Sequence, residues 1–187
     1  MVATGGSVGD EAREALERLV LDVPDFPEPG ILFKDITPVL SDPSGFAAVV
    51  AALAAVGRDD TGAVVVDKVV GMEARGFILA APVALALGVG FVPVRKVGRL
   101  PLSTHAVSYD LEYAQATLEV HQDAIAPGER VLLVDDVLAT GGTLQATVDL
   151  VTQCGGTATA AAMLMELSFL PGRQAIGDLP LTSLMTV

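Results

Sequence analysis

The stretch VLLVDDVLATGGTLQA, residues 131–146, decides the fold of this 187-residue chain. Its first four residues are apolar, which is typical of a strand covered on both faces in a parallel sheet. Asp135 and Asp136 follow at the carboxyl end of that strand, and the run from Ala139 to Thr143 leads into a helical pattern. Two adjacent negative charges at the end of a buried strand indicate a ligand that needs them.

The glycine-containing run after the carboxylates predicts a phosphate cradle. A strand-to-helix loop presents backbone N–H groups and the positive end of a helix dipole, and Gly141 and Gly142 let a ligand approach the backbone closely. The lysine of the P-loop motif is absent, and the run does not fit G-x-G-x-x-G. Carboxylates beside a phosphate site suit a sugar phosphate accompanied by a divalent cation. TGGT alone would also fit an ordinary turn, so the specific signal is its combination with the strand and the Asp pair.

The acidic composition argues against general nucleic-acid and membrane-surface roles. The formal net charge is −12, which repels phosphate backbones and anionic lipids. Several lysine and arginine residues nevertheless lie in or beside the motifs discussed below, which indicates a small positive site. For each of them, the alternative is an ordinary solvated charge on the surface. These residues are Lys34, Arg75, Arg95, Lys96 and Arg99.

Cysteine usage and the N-terminal residues predict a cytoplasmic protein. The single cysteine, Cys154, excludes an internal disulfide and a multi-cysteine zinc site, and we interpret it as a packed thiol. Residues 1–20 lack the basic and apolar regions of a secretory signal. The uncharged stretch 76–94 approaches the length of a membrane span, but its glycines divide it into a helix at 76–87 and a strand at 90–95.

Strand and helix patterns alternate along the chain and predict an α/β fold with a central, mainly parallel sheet flanked by helices. Such a sheet binds ligands at the carboxyl ends of its strands. Residues 103–125 alternate as in an antiparallel hairpin. The length fits one domain spanning 1–187, with residues 1–9 as a flexible leader. Strands are predicted at 67–72, 90–95, 129–134 and 157–165, and helices at 10–21, 43–56, 76–87 and 144–154.

Five stretches together resemble the type I phosphoribosyltransferase family. VLLVDDVLATGGT is similar to that family's signature for 5-phosphoribosyl 1-pyrophosphate (PRPP), and four further stretches resemble its adenine-using members. The resemblance runs from about Asp22 to Arg173 and implies the type I fold, with residues 97–125 as a flexible hood hairpin. The four further stretches are DFPEPGILFKDITPVLSDP (25–43), VVGMEARGF (69–77), VPVRKVGRLP (92–101) and YDLEYAQATLEVHQDAI (109–125).

The reaction implied by this resemblance is purine salvage, in which adenine and PRPP give AMP and pyrophosphate. Mg²⁺ would be carried by PRPP, and no protein ligand to the metal is assigned. The resemblance also implies a cytoplasmic homodimer whose partners are these small molecules, without nucleic acid or membrane.

The resemblance assigns the PRPP-binding residues. Asp135 and Asp136 would be catalytic carboxylates that accept from the ribose hydroxyls and favour positive charge on the ring. A pyrophosphate loop would contain Glu73, Ala74 and Arg75. The 5′-phosphate would lie in the cradle of Ala139, Thr140, Gly141, Gly142 and Thr143. The leaving pyrophosphate would be neutralised by Arg95, Lys96 and Arg99.

Adenine is expected near Phe33, with Leu32 against the purine and the backbone beside Lys34 reading the base edge. Core packing is the alternative for the two apolar residues. Lys34 stands where the family usually has arginine, and lysine cannot donate bidentately. Leu102 stands where glycine often follows LP, which bears on the shape of the hood.

Glu112 is expected to hydrogen-bond the purine and to take up the proton that adenine loses as N9 attacks the anomeric carbon. A carboxyl desolvated beneath the hood would have its pKa raised toward neutrality, which suits proton transfer. An exposed hairpin glutamate is the alternative.

Two other functions remain open from the sequence. One is transfer to a 6-oxopurine such as hypoxanthine, guanine or xanthine, for which FPEPGILFKD (26–35) is the strongest discriminator. The other is a non-catalytic module that senses PRPP or a purine. Such a module needs only the cradle, whereas Arg75, the basic cluster and Glu112 are all present, and we expect no attached nucleic-acid-binding domain, so the enzyme is favoured.

Overall fold

The computed structural model describes residues 8–110 and 115–187, which form two compact units divided after Ala52. The first unit is built from short elements and contains most of the third helix. Its elements are α1 Val8–Leu19, β1 Leu21–Pro24, β2 Leu32–Asp35, α2 Thr37–Ser41 and α3 Pro43–Ala55.

The helix starts in the first unit follow from their sequences. Asp10 and Glu11 lie in the first turn of α1, where acidic side chains interact favourably with the helix dipole. Asp42 precedes α3, and its Oδ1 accepts from the N–H of Gly45 at 2.7 Å, which is the expected N-cap arrangement. Both predicted helices are therefore confirmed, while α2 and the antiparallel pair of β1 and β2 were not predicted.

The second unit is a layered α/β structure. Its sheet has the strand order β5-β6-β4-β3-β7-β8-β9 among the described residues. The strands from β4 to β9 along this order are mutually parallel, and β6 is antiparallel to both β4 and β5. The predicted α/β fold class is confirmed. The elements are β3 Lys68–Met72, α4 Arg75–Leu87, β4 Gly90–Lys96, β5 Thr104–Asp110, β6 Gln115–His121, β7 Arg130–Leu138, α5 Gly142–Gln153, β8 Thr157–Glu166, α6 Gly172–Ala175 and β9 Leu181–Thr186.

The central strand β7 is longer than predicted. The apolar run from Val131 to Val134 is fully buried, as expected. Its backbone then stays extended to Leu138, which pairs with Glu166 of β8. The expectation that the strand ends at Val134 was therefore wrong, because β8 supplies hydrogen-bonding partners further along, and Asp135 and Asp136 lie inside the last part of the strand.

The uncharged stretch 76–94 forms a helix and a strand, as predicted. Helix α4 is followed by Gly88, whose φ of 71° supplies the left-handed turn at the end of the helix. Strand β4 then runs parallel to β3. Within the described parts of the chain, every helix is too short or too polar to cross a membrane.

The predicted hairpin is present as β5 and β6, which pair from Thr104 opposite His121 to Asp110 opposite Gln115. It joins the parallel sheet through two pairs between β6 and β4, Glu119 with Arg95 and Leu118 with Lys96. The hairpin is thus an antiparallel extension of the sheet. Residues 111–114, between the two strands, lie outside the described residues.

Candidate active site

The cradle lies between β7 and α5 and surrounds a small cavity. The whole run from Ala139 to Thr143 lines this cavity, together with Asp135 and Met72. Its volume is about 70 Å³, several times the roughly 10–15 Å³ that one water needs by this measure. The residues predicted to bind a phosphate therefore form one concave wall, and Asp135, predicted to be a catalytic carboxylate, lies beside them.

The N-terminus of α5 gives the cradle its donors. Gly141, which precedes the helix, has a φ of 86°, a left-handed conformation that glycine adopts without steric cost. The backbone N–H groups of the first turn have no partners within a helix, and the dipole is positive at this end. An anion placed here would meet both features, which are the ones that bind phosphate at helix N-termini in general.

The paired carboxylates meet the first turn of α4. The Nε of Arg75 donates to Oδ2 of Asp136, which is buried. The N–H of Asp136 donates to Oδ1 of Asp135 at 2.9 Å. Gly76 lies so close to Asp135 that a Cβ there would come within 2.6 Å of Oδ1. Two motifs about 60 residues apart are therefore in direct contact.

The surroundings of Asp135 disfavour its charged form. Burial and then the neighbouring charge of Asp136 raise the pKa of Asp135 well above its ordinary value. A carboxyl whose pKa is higher in the folded chain than in the unfolded chain loses stabilisation as pH rises. No stabilisation is lost at pH values below the pKa of the carboxyl in the unfolded chain. The loss is complete at pH values above its pKa in the folded chain.

We therefore expect Asp135→Asn to raise the thermal unfolding midpoint at pH 8. The amide keeps the shape of the carboxyl and an acceptor for Asp136, but it carries no charge to desolvate. The gain over the parent should shrink as the pH is lowered toward 4, which calorimetry across this range would measure. A gain that is equal at every pH, or a loss at pH 8, would contradict the electrostatic explanation.

The pyrophosphate loop and the basic residues are linked by one carboxylate. Glu73 follows β3, Ala74 is the N-cap of α4, and the peptide bond between them is cis. Oε2 of Glu73 accepts from Nε of Arg95 and from the N–H of Lys96, both at 3.1 Å. Burial opposes ionisation of Glu73, but these hydrogen bonds outweigh it and hold its pKa below the ordinary value. The Glu73 side chain thus fixes a cation in place.

The turn after β4, residues 97–103, is anchored by β6. Glu119 is 4% exposed, and its Oε1 accepts from the N–H groups of Arg99 and Leu100, both at 2.8 Å. Nη1 of Arg95 donates to the carbonyl of Arg99 at 3.1 Å, and Nε2 of His121 contacts the carbonyl oxygen of Pro101 at 2.8 Å. Contacts with β6 on one hand and with Arg95 of β4 on the other therefore hold the turn at residues 97–103 in place.

Leu102 adopts an unusual conformation within this turn. Its φ is 65°, which is uncommon for a bulky residue other than glycine. Its side chain is 91% exposed. The departure noted in the sequence, leucine where glycine is frequent, therefore falls at a position whose backbone suits glycine.

The residues predicted to contact adenine lie on β2 in the first unit. Leu32 is exposed, and Phe33 meets Phe26 edge to face with ring centroids 5.1 Å apart. The Nζ of Lys34 forms an ion pair with Oδ1 of Asp22 at 2.6 Å, directly across the antiparallel pair. The lysine side chain therefore has a local partner, which fits a role for the backbone at this position. Glu112, the expected proton acceptor, lies outside the described residues.

The comparisons with known proteins agree with this geometry. The family model described as "Phosphoribosyl transferase domain" matches residues 40–168. A curated adenine phosphoribosyltransferase from a Nocardioides species is 71% identical over 181 residues, covering 96% of this chain and 98% of its own length. The chain belongs to the adenine phosphoribosyltransferase family. The family expectation from the sequence is confirmed.

Solved structures of adenine phosphoribosyltransferases share the fold throughout. The enzyme from Thermoanaerobacter pseudethanolicus has a TM-score of 0.87 and 45% identity, covering 94% of this chain and 99% of its own. The Saccharomyces cerevisiae enzyme, complexed with an imino-altritol bisphosphate and adenine, has a TM-score of 0.89 and 37% identity, with the same coverage. The type I fold is thus confirmed.

The structure adds a support behind the cradle of this adenine phosphoribosyltransferase family member. Arg173 donates from Nε and Nη2 to the two carboxylate oxygens of Glu166, at 2.9 and 2.5 Å, which lowers the pKa of Glu166. Gly172 packs directly against Ala139 and Gly141. The ion pair therefore holds α6 against the cradle loop.

Sequence reasoning missed Glu119 and the Glu166–Arg173 pair. Glu119 lies between Leu118 and Val120 in a strand pattern, where alternation predicts a solvated side chain. The burial of Glu119 depends on a turn that folds back over β6, and the residues next to Glu119 do not indicate that turn. For the Glu166–Arg173 pair, the sequence signal that could have been used is the acidic residue at the carboxyl end of β8.

Proposed function

We propose that this chain transfers the 5-phosphoribosyl group of PRPP to N9 of adenine, giving AMP and pyrophosphate. In this reaction the bond from C1 to the pyrophosphate oxygen breaks, a bond from C1 to N9 forms, and N9 loses its proton. The observation that carries the proposal is the cradle cavity with Asp135 in its wall and the Arg75–Asp136 pair beside it. Membership of the adenine phosphoribosyltransferase family supports adenine over a 6-oxopurine and an enzyme over a sensor.

The cradle and the Asp pair would bind the ribose 5-phosphate part of PRPP. Backbone N–H groups at the start of α5 would donate to the phosphate oxygens. Asp135 and Asp136 would accept from the ribose hydroxyls, and their charge would favour the cationic character that develops at C1 as the leaving group departs. The Arg75 contact would hold Asp136 in place for this task.

The pyrophosphate would be bound by the cations of the second unit. Arg95 is fixed by Glu73, and the backbone carrying Arg99 is fixed by Glu119. Preorganised cations stabilise charge that develops on a leaving group without reorganising during the step. Lys96 and the loop at Glu73, Ala74 and Arg75 would complete this subsite, and Glu112 would accept the proton from N9.

Mg²⁺ fits the proposed site as a companion of the substrate. Among the described residues, no group of three or more His, Cys, Asp or Glu side chains forms a metal cluster. Mg²⁺ commonly binds through one or two carboxylates together with substrate phosphates and waters, and Asp135 and Asp136 are such carboxylates. When bound, the ion would neutralise pyrophosphate charge. We also expect a cytoplasmic homodimer.

The proposed function is tested by pyrophosphate release with PRPP, Mg²⁺ and a panel of purines. Adenine should give release at least about 100-fold faster than hypoxanthine, guanine or xanthine, since a site built for one base edge leaves polar groups unpaired with another. Faster release with a 6-oxopurine would move the assignment to that base. Binding of PRPP without turnover on any purine would favour the sensing module.

Glu119→Ala is expected to raise the KM for PRPP by about tenfold, because two backbone N–H groups lose their charged acceptor and the turn carrying Arg99 loosens. Glu119→Gln is the matched control, since its amide oxygen can keep both hydrogen bonds. It should stay within about twofold of the parent. Steady-state kinetics at saturating adenine would measure both variants. Equal KM values for the alanine variant and the parent would rule out this role.

A further inference from the structure

The side chain of Tyr109 connects the hood hairpin to the cradle. The hydroxyl of Tyr109, on β5, lies 2.9 Å from Oγ1 of Thr143 in the first turn of α5. The Tyr109 ring lies so close to Gly142 that a Cβ on Gly142 would come within 2.8 Å of Cδ2 of the tyrosine. Tyr109 thus packs against one cradle residue and hydrogen-bonds the next.

The chemistry of phosphate fixes the direction of this hydrogen bond. A threonine hydroxyl has one proton to donate and can accept as well, whereas an ionised phosphate oxygen only accepts. If Thr143 is to donate to a phosphate in the cradle, its oxygen must accept from Tyr109. The tyrosine hydroxyl therefore aligns the Thr143 proton toward the ligand.

Tyr109 would act through Thr143 rather than on the ligand. The described residues that line the cradle cavity include Thr143 and Gly142, and Tyr109 is not one of them. Tyr109 instead lines a neighbouring cleft that shares Gly142 with the cradle cavity and includes Gln145 and Asp149 of α5. Tyr109 therefore contacts the cradle loop without lining the cradle cavity.

We propose that Tyr109 is a positioning residue that orients the Thr143 hydroxyl for the 5′-phosphate and so couples phosphate binding to the hood hairpin. This inference rests on the proposed function, since it assumes that the cradle binds that phosphate. A chain of hydrogen bonds from Tyr109 through Thr143 to an anion strengthens each member by polarisation. A bound 5′-phosphate would therefore tighten the contact between β5 and α5.

A matched control lies one residue away in the same strand. Oγ of Ser108 hydrogen-bonds Oγ1 of Thr117 across the hairpin at 2.8 Å. Successive side chains of a strand point to opposite faces, so the Ser108 side chain lies on the face of the hairpin opposite the Tyr109 ring. Ser108→Ala removes a hydrogen bond of the hairpin without changing the Tyr109–Thr143 pair.

The test compares the binding of ribose 5-phosphate and of pyrophosphate by titration calorimetry. Tyr109→Phe keeps the ring against Gly142 and removes the donor, so it should weaken ribose 5-phosphate binding by about 3- to 10-fold, the size of one buried hydrogen bond. Pyrophosphate binding should be unchanged. Ser108→Ala should leave both affinities within about twofold of the parent.

A double-mutant cycle with Thr143→Val makes the coupling explicit. Once Thr143 has no hydroxyl, Tyr109→Phe should have no further effect on ribose 5-phosphate binding. Equal loss of both ligands in Tyr109→Phe would mean a general structural role and would overturn the inference, as would unchanged ribose 5-phosphate binding. If the parent failed to bind ribose 5-phosphate, the proposed function of the cradle would fail first, so the two failures are distinguishable.

Discussion

Asp136→Asn is expected to lower turnover by about 10- to 1000-fold, the range for losing one preorganised electrostatic contact. The asparagine keeps the size of the side chain but has no charge to hold the Arg75 guanidinium or to favour a cationic sugar. Arg75 would then lose its ion pair with this carboxylate. Turnover at saturating adenine and PRPP measures the loss, and circular dichroism checks that the variant is folded.

The control for Asp136→Asn is Asp67→Asn. Asp67 also forms an ion pair with an arginine, Arg130, at 3.0 Å, but at the opposite end of β7. The hydrogen bonds from Arg130 lower the pKa of Asp67 to about 2. Removing the Asp67 charge from this exposed ion pair should leave turnover within about twofold of the parent. Near-normal turnover in folded Asp136→Asn would remove the role assigned to that carboxylate.

Glu112→Gln is expected to lower turnover by about 100-fold or more while PRPP affinity stays nearly unchanged. The amide cannot accept the proton that N9 of adenine must lose, whereas the phosphate and ribose contacts are assigned to other residues. Turnover between pH 6 and 9 and the Kd for PRPP are the measurements. The parent should lose activity toward acidic pH as its base becomes protonated.

Glu17→Gln provides a charge-matched control for Glu112→Gln, because Glu17 is exposed on α1. This variant should keep the turnover and the pH profile of the parent. If Glu112→Gln also matched the parent at every pH, Glu112 would be an ordinary exposed glutamate and the proton acceptor would have to be sought elsewhere.

The central strand and the cradle could be predicted because their signals are local. Four consecutive apolar residues indicate burial on both faces, and the paired glycines indicate a loop whose backbone a ligand can approach closely. The end of the strand could not be predicted in the same way. It depends on how far β8 continues alongside β7, and helix α5 separates these two strands in the sequence.

The contacts that hold the site together were beyond sequence reasoning because they are long-range. Tyr109 meets Thr143 from 34 residues away, and Arg75 meets Asp136 from 61. The residue types indicated polar function at Arg75 and Asp136 but not that they would pair. Tyr109 gave no signal, since a tyrosine in a strand is typical of packing.

The left-handed backbone of Leu102 has a consequence for the order in which this region folds. Leucine resists that conformation, so Leu102 does not itself favour the turn. The stabilising contacts come from Glu119, twenty residues after Arg99. We therefore expect the turn to close after β6 has docked beside β4, so that the basic side chains reach their places late in folding.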